Sequence, residues 1–260
     1  MITAVARFRD LVERPAGEVD LGEAALTIAA AAYPDLDVPE WIHVLDRLAV
    51  GVDDLAGLRA RLFADLGLRG DADAYYDPDN SFLQRVLQRR RGIPISLSVI
   101  TMEVGRRAGL QVDGVGMPGH FVVFVPAEEV YLDPFGGGTV LDPERMESLF
   151  RLATGAGAEV AFGPEFLPVV TAHEILSRML ANLRALYRAS GAASDLEWVL
   201  RMRLLLPNVS AAQIAGLGEA LAAQGRLTEG ATELERYAER HSEQAAGLAA
   251  AARALRARLN

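Results

Sequence analysis

The stretch from Asn80 to Pro134 reads NSFLQRVLQRRRGIPISLSVITMEVGRRAGLQVDGVGMPGHFVVFVPAEEVYLDP, and its apolar period changes partway along. After Pro94, apolar residues follow at helical spacing until Gly109, so the sequence predicts a helix that begins at Pro94 and ends at Gly109. Beyond Gly109 the pattern alternates, which predicts strands at 120–125 and 130–133. A mostly apolar helix followed by such strands predicts an α+β core with this helix buried at its centre.

The two predicted strands are expected to form an antiparallel hairpin that brings a histidine to an aspartate. Their connecting loop, 126–129, is short enough for a hairpin. In a register that pairs Val123 with Val130, His120 lies opposite Asp133. A slip of one residue would place these two side chains on opposite faces of the sheet.

Residues 1–70 have the pattern of a small helical lobe. Apolar residues recur there at intervals of three and four, and prolines separate the periodic segments. Asp53 can cap one helix of this lobe, and Asn80 or Ser81 can cap the first helix of the core. We therefore assign the lobe to residues 1–70 and the core to residues 71–168.

The C-terminal region, 169–260, contains a repeat with a period of 34 residues. It follows a Gly- and Pro-rich linker at 153–168, and Thr171-Ala-His-Glu174 predicts a capping box that opens its first helix. Similar residues lie 34 positions apart in Leu180 and Ile214, Leu183 and Leu217, Tyr187 and Leu221, Gly191 and Gly225, and Leu200 and Leu234. Paired helices of this period resemble tetratricopeptide repeats, and an Ala-rich helix at 244–259 can cap them.

The composition argues against several classes of partner and chemistry. The net charge of -9 is unsuited to nucleic-acid binding, which requires a cationic surface. No apolar run reaches the roughly 20 residues that a bilayer span needs, and the N-terminus lacks the apolar core of a signal peptide, so we expect no membrane segment and a cytoplasmic location. The chain contains neither cysteine nor lysine, which excludes disulfides, thiolate chemistry and lysine Schiff bases.

Three separated motifs carry a family resemblance. They are NSFL, RRGIPISLS, and the pair PGHF and DPF, which contain His120 and Asp133. Together with the order of lobe, core and repeats, these motifs resemble the SirB-type branch of the transglutaminase-like superfamily. The resemblance implies a papain-like core with a small antiparallel sheet, in which His120 takes the position of the base and Asp133 orients it. Active relatives open the central helix with Gly-x-Cys.

The nucleophile of that site has no counterpart here. Aligning Gly92 with the glycine of Gly-x-Cys puts Pro94 at the cysteine position, and proline has no nucleophilic atom. Ser96 is the nearest hydroxyl, in a first turn that favours a developing oxyanion. It lies about 200° around the helix from Pro94, however, so we expect it to point away from the cysteine direction. Ser98 is expected to be a small packing residue.

Two functions from different classes follow. We expect a noncatalytic transglutaminase-like protein that binds a protein or peptide partner through its core groove and its repeats. The alternative is a hydrolase or acyltransferase that uses Ser96, His120 and Asp133 on an amide or ester. We expect no cofactor, and no metal site, because His120 and Asp133 alone supply too few ligands. The sequence leaves the oligomeric state and the identity of the partner open.

Overall fold

The computed structural model describes residues 2–240 and 242–258, which fall into two compact units. One unit is Pro15–Met179, and the other joins Met1–Arg14 to Leu180–Asn260. The division at 1–70, 71–168 and 169–260 stays a prediction. None of the helices in the described residues is both long and apolar enough to cross a membrane.

Helices dominate the chain. They are α1 (Ile2–Val12), α2 (Leu21–Ala32), α3 (Val38–Ala49), α4 (Leu55–Arg59), α5 (Leu83–Arg89), α6 (Pro94–Arg107), α7 (Pro143–Thr154), α8 (Ala172–Ser190), α9 (Ala193–Arg203), α10 (Ala211–Ala223), α11 (Leu227–Arg240) and α12 (Ala245–Ala257). Short 3-10 turns lie at Ala16–Glu18, Pro78–Ser81, Pro164–Phe166 and Ser242–Gln244, and a π-helical turn, Ala60–Asp65, follows α4. The strands are β1 (Arg69–Gly70), β2 (Arg91–Gly92), β3 (Asp113–Val115), β4 (Val122–Val125), β5 (Val130–Asp133) and β6 (Thr139–Leu141).

Helix α6 is the central element of the unit Pro15–Met179. It begins at Pro94 and is followed by Gly109, whose φ of +81° is in the left-handed region, so both predicted limits are confirmed. The helix packs against α2, α3 and α5 and against strands β3 and β4. Four of its apolar residues lose all contact with solvent, namely Leu97, Val99, Ile100 and Val104. The mixed α+β core with a buried central helix is therefore confirmed.

The larger sheet is antiparallel in the order β3-β4-β5-β6. Val123 pairs with Leu132 rather than with Val130, so the predicted register is wrong by two residues. The strand also begins at Val122 and not at position 120, because the amide of His120 is used in a turn with the carbonyl of Met117. A shift of two residues preserves the faces of a strand, so His120 and Asp133 stay on one side of the hairpin.

Two predicted helix caps are wrong. Asp54, and not Asp53, caps α4 by accepting a hydrogen bond from the amide of Gly57. Neither Asn80 nor Ser81 caps α5, because both belong to a preceding 3-10 turn and α5 begins only at Leu83.

The segment predicted as a linker, 153–168, packs against the core. Phe162 and Phe166 lie 5.2 Å and 4.6 Å from the ring of Phe150, measured between ring centroids. These rings join a buried cluster that contains Val115 and Met117 of the sheet region. The segment therefore covers the sheet instead of connecting two separate bodies.

The helices of the second unit repeat the offset of 34 residues in their packing. The apolar members of every repeat pair are buried, and Gly191 and Gly225 both adopt positive φ, at +72° and +77°. From α9 to α12, each helix contacts the next one along the chain. The helix predicted to cap the repeats, 244–259, corresponds to α12, although Leu259 lies outside the described residues. The identification of these helices as tetratricopeptide repeats stays a prediction.

Candidate active site

The structure brings His120 and Asp133 together. Nε2 of His120 lies 2.9 Å from Oδ1 of Asp133, and the two side chains are only 8% and 10% exposed. Because a carboxylate can only accept, Nε2 of His120 donates this hydrogen bond. The other ring nitrogen, Nδ1, takes no part in it. The same Oδ1 accepts the amide of Phe135 at 3.0 Å, which fixes the orientation of the carboxylate.

Glycines allow the chain to pass closely around this pair. Gly119, directly before the histidine, has a φ of +72°, and a Cβ there would come within 2.6 Å of the carbonyl oxygen of Ala153. A Cβ at Gly136 would lie 2.7 Å from Oδ2 of Asp133. Any larger residue at these two positions would displace the histidine or the aspartate.

Arg178 of α8 holds the backbone of the histidine loop. Its Nη2 donates to the carbonyl oxygens of Met117 and His120, at 3.0 Å and 2.5 Å. Its guanidinium also lies over the ring of Phe121, 5.3 Å from the centroid. Burial lowers the pKa of Arg178, an effect that the negative form of Tyr75 would oppose. Arg178 thus restrains both ends of the turn that presents His120.

A row of aromatic rings leads from the surface to the histidine. Phe135 lies edge-on to His120 with a centroid distance of 5.9 Å, and Tyr75 lies 6.1 Å from Phe135. Tyr76 packs against Tyr75 at 5.4 Å and is 79% exposed. Gly70 makes room for this row, because a Cβ there would meet the ring of Phe135 at 2.6 Å.

Pro94 lies on the face of α6 that is turned toward the histidine strand. Residues four apart share a helix face, and Ser98, four residues after Pro94, donates a long hydrogen bond of 3.4 Å to the carbonyl of Phe121. The helix face that contacts the backbone next to His120 therefore begins at Pro94, whose side chain has no nucleophilic atom.

Ser96 is directed elsewhere. Its hydroxyl donates to the carbonyl of Asn80 at 2.6 Å and accepts the amide of Ile93 at 3.2 Å, and the side chain is fully buried. In the described part of the chain, no hydrogen bond joins Ser96 to His120. The structure thus assembles two of the three candidate residues and leaves Ser96 in a structural tie.

The described residues offer little for a metal ion. No group of three or more potential ligands among His, Cys, Asp and Glu occurs in them. His120 and Asp133 supply two donors, and these donors are bonded to each other.

Sequence reasoning missed three residues of the site. Phe135 is part of the DPF motif and could have been found there, whereas Tyr75 lies in a polar loop with no periodic pattern. Arg178 lies 58 residues from His120 in sequence, and no sequence motif indicates that its side chain contacts the carbonyl of His120.

Comparison with known proteins places this site in a family. Residues 30–181 match the transglutaminase-like superfamily. A UPF0162 protein of Xylella fastidiosa strain Temecula1 is 35% identical over 235 residues, covering 84% of this chain and 82% of that protein. A UPF0162 protein of Pseudomonas aeruginosa is 35% identical over 182 residues, covering 66% of each chain. The chain therefore belongs to the transglutaminase-like superfamily and is a homologue of the UPF0162 proteins.

A more distant similarity covers half of the chain. Human F-box only protein 21 is 30% identical over 140 residues, which is 50% of this chain and 21% of that protein. No solved structure matches the chain. The expected superfamily is confirmed, and the narrower assignment to its SirB-type branch stays a prediction.

If Ser96 is a structural tie, its replacement should cost stability. We expect Ser96→Ala to lower the free energy of unfolding by about 1–2 kcal/mol, because the buried backbone groups of Asn80 and Ile93 lose a partner. Ser98→Ala is the matched control and should cost less, since its hydrogen bond is long. Urea unfolding checks both variants, and equal stability of Ser96→Ala and wild type would contradict this role.

Proposed function

We propose that this chain is a noncatalytic member of its superfamily that binds a protein or peptide partner through its core groove and its TPR-like repeats. The observation that carries the proposal is Pro94, at the start of α6 and one turn before Ser98, which bonds to the carbonyl of Phe121 next to His120. Since the chain has no cysteine, no other residue supplies a thiol to that position.

The rest of the site supports recognition. His120 and Asp133 are retained as a hydrogen-bonded pair, and the rings of Phe135, Tyr75 and Tyr76 lie beside it. Exposed tyrosines are common in interfaces, because they contribute a large contact area and one polar group at low entropic cost. A pair without a nucleophile can still orient and hydrogen-bond a bound chain.

The repeats supply a second surface for a partner. A cavity of 620 Å³ lies among α8, α9 and α10. Its walls combine small and apolar residues, among them Gly216 and Leu200, with charged ones such as Arg188 and Glu219. Concave surfaces of paired helical repeats suit extended or helical peptides. The similarity of half of this chain to a part of the longer F-box only protein 21 is also what a binding module would show.

The alternative, acyl transfer by Ser96, receives less support. A serine nucleophile needs a base within about 2.6–3.2 Å. The hydroxyl of Ser96 bonds instead to the backbone of Asn80 and Ile93, on the side of α6 away from Pro94. Catalysis by this residue would require the first turn of the helix to rearrange.

The absence of catalysis is tested with purified protein. We expect no hydrolysis of a p-nitrophenyl ester and no amine transfer to a glutaminyl peptide above the rate of His120→Ala. The variant serves as the matched background, because it removes the base and leaves Ser96 in place. Turnover by the wild type that disappears in His120→Ala would contradict the noncatalytic assignment.

Binding is tested by selecting peptides from a display library on the wild-type protein. We expect Gly216→Leu, which fills the repeat cavity, to weaken peptides that bind the repeats by about tenfold or more, the loss typical of a disrupted hot spot. Gly247→Leu is the control, because a Cβ there would meet no atom within 4 Å. A library that yields no saturable binder to the wild type would contradict the binding function.

A further inference from the structure

Arg178 is a partly buried cation that has no carboxylate partner among the residues that the structure describes. Some partly buried arginines of the same unit pair with acids, as Arg89 does with Asp71 and Asp77, and Arg107 with Asp46. Others bond to backbone carbonyls, as Arg59, Arg61 and Arg91 do. Within the described residues, Arg178 bonds only to the carbonyl oxygens of Met117 and His120. Both of these bonds use Nη2, so Nε and Nη1 keep their donors available.

Withdrawing such a cation from water is costly unless an opposite charge is near. The face of Phe121 and two carbonyl dipoles offset part of this cost. No formal negative charge among the described residues completes the compensation. The guanidinium thus has both the charge and the free N–H groups that an anion would use.

Tyr75 provides a second donor near this cation. Its hydroxyl forms no hydrogen bond with any residue that the structure describes, and its ring packs on Phe135, which in turn lies edge-on to His120. Burial raises the pKa of Tyr75, as does Tyr76, whereas Arg178 lowers it, so the phenol is within electrostatic reach of the guanidinium.

The loop that carries Tyr75 is built to hold this position. The neighbouring Ala74 is tied at both backbone groups: its amide donates to Asp71, and its carbonyl accepts Nδ2 of Asn80 at 2.7 Å and the amide of Asp77 at 2.9 Å. Asn80 is fully buried. A donor held in place before binding adds affinity, because less freedom is lost on association.

We infer that the Arg178 guanidinium and the Tyr75 hydroxyl bind a carboxylate beside His120. The inference rests on the proposed binding function and specifies its partner: a peptide that presents an acidic side chain or a free C-terminus. A single N–H of Nε or Nη1 and the Tyr75 hydroxyl can each donate to one oxygen of a planar, singly charged carboxylate. The net charge of -9 disfavours a polyanion, so the attraction is local to this site.

The site is tested by NMR on protein labelled in its arginine and histidine side chains, with acetate as the probe. The four histidines of the chain make the ring signals simple to assign. We expect acetate to shift Nε–H of Arg178 and the ring of His120 saturably, while acetamide and chloride at equal ionic strength shift neither. Equal shifts at arginines across the surface, or the same response to chloride, would overturn the site.

Variants separate the two donors. Arg178→Gln keeps a donor for the carbonyls of Met117 and His120 but removes the charge, so acetate should no longer shift His120. Arg253→Gln, an exposed control on α12, should leave the response unchanged. Tyr75→Phe changes only an exposed loop and should weaken acetate about fivefold, the equivalent of one hydrogen bond. An unchanged affinity in a folded Tyr75→Phe protein would overturn the role of the hydroxyl.

Two peptides then distinguish the sources of the carboxylate. One is acetylated tetra-alanine with a free C-terminus, and the other is its C-terminal amide with glutamate in place of one alanine. A shift of Arg178 by either peptide supports the site and identifies the source. Display-selected peptides that bind without moving Arg178 would overturn this site and leave the proposed function standing. Acetate binding at Arg178 in a protein that binds no peptide would instead overturn the proposed function and leave the carboxylate site standing.

Discussion

The hydrogen bond from the hydroxyl of Ser96 to the carbonyl of Asn80 ties the start of the central helix to the rest of the site. Asn80 in turn donates its side-chain amide to Ala74, at the base of the loop that presents Tyr75. Buried hydrogen bonds of this kind are expensive to leave unmade, so each link constrains the next. Through this series, one buried serine fixes both the first turn of α6 and the aromatic row next to His120.

Several contacts together fix the position of His120. Asp133 orients His120, Arg178 restrains the backbone of His120, and glycines at positions 119 and 136 allow the close approach of the chain. Pro94 satisfies the requirements of a helix start, since its φ suits the first turn and its missing N–H is not needed there. At position 94 the side chain therefore serves the start of the helix.

Local patterns were enough to predict the elements that carry the site. Pro94 and Gly109 marked the limits of α6, and alternating apolar residues marked the hairpin that joins His120 to Asp133. The register was missed by two residues because the turn at Met117 withdraws His120 from the strand, which depends on a glycine with positive φ and not on hydrophobic alternation. The contact of Arg178 was beyond prediction, because it joins α8 to a loop far away in sequence. The segment around Phe162 has the glycine and proline content of a linker, yet its aromatic rings pack onto the core.

The most direct test of this account replaces Pro94 by cysteine in a chain that has no other thiol. If position 94 faces His120, the thiol pKa in Pro94→Cys, followed by thiolate absorbance, should fall below about 7.5, as it does beside a histidine at a helix start. Removing His120 in the same background should return it toward about 8.5, and Ser96→Cys should show no such depression. An ordinary thiol pKa in Pro94→Cys, unaffected by His120→Ala, would contradict the claim that proline occupies the nucleophile position of a retained site.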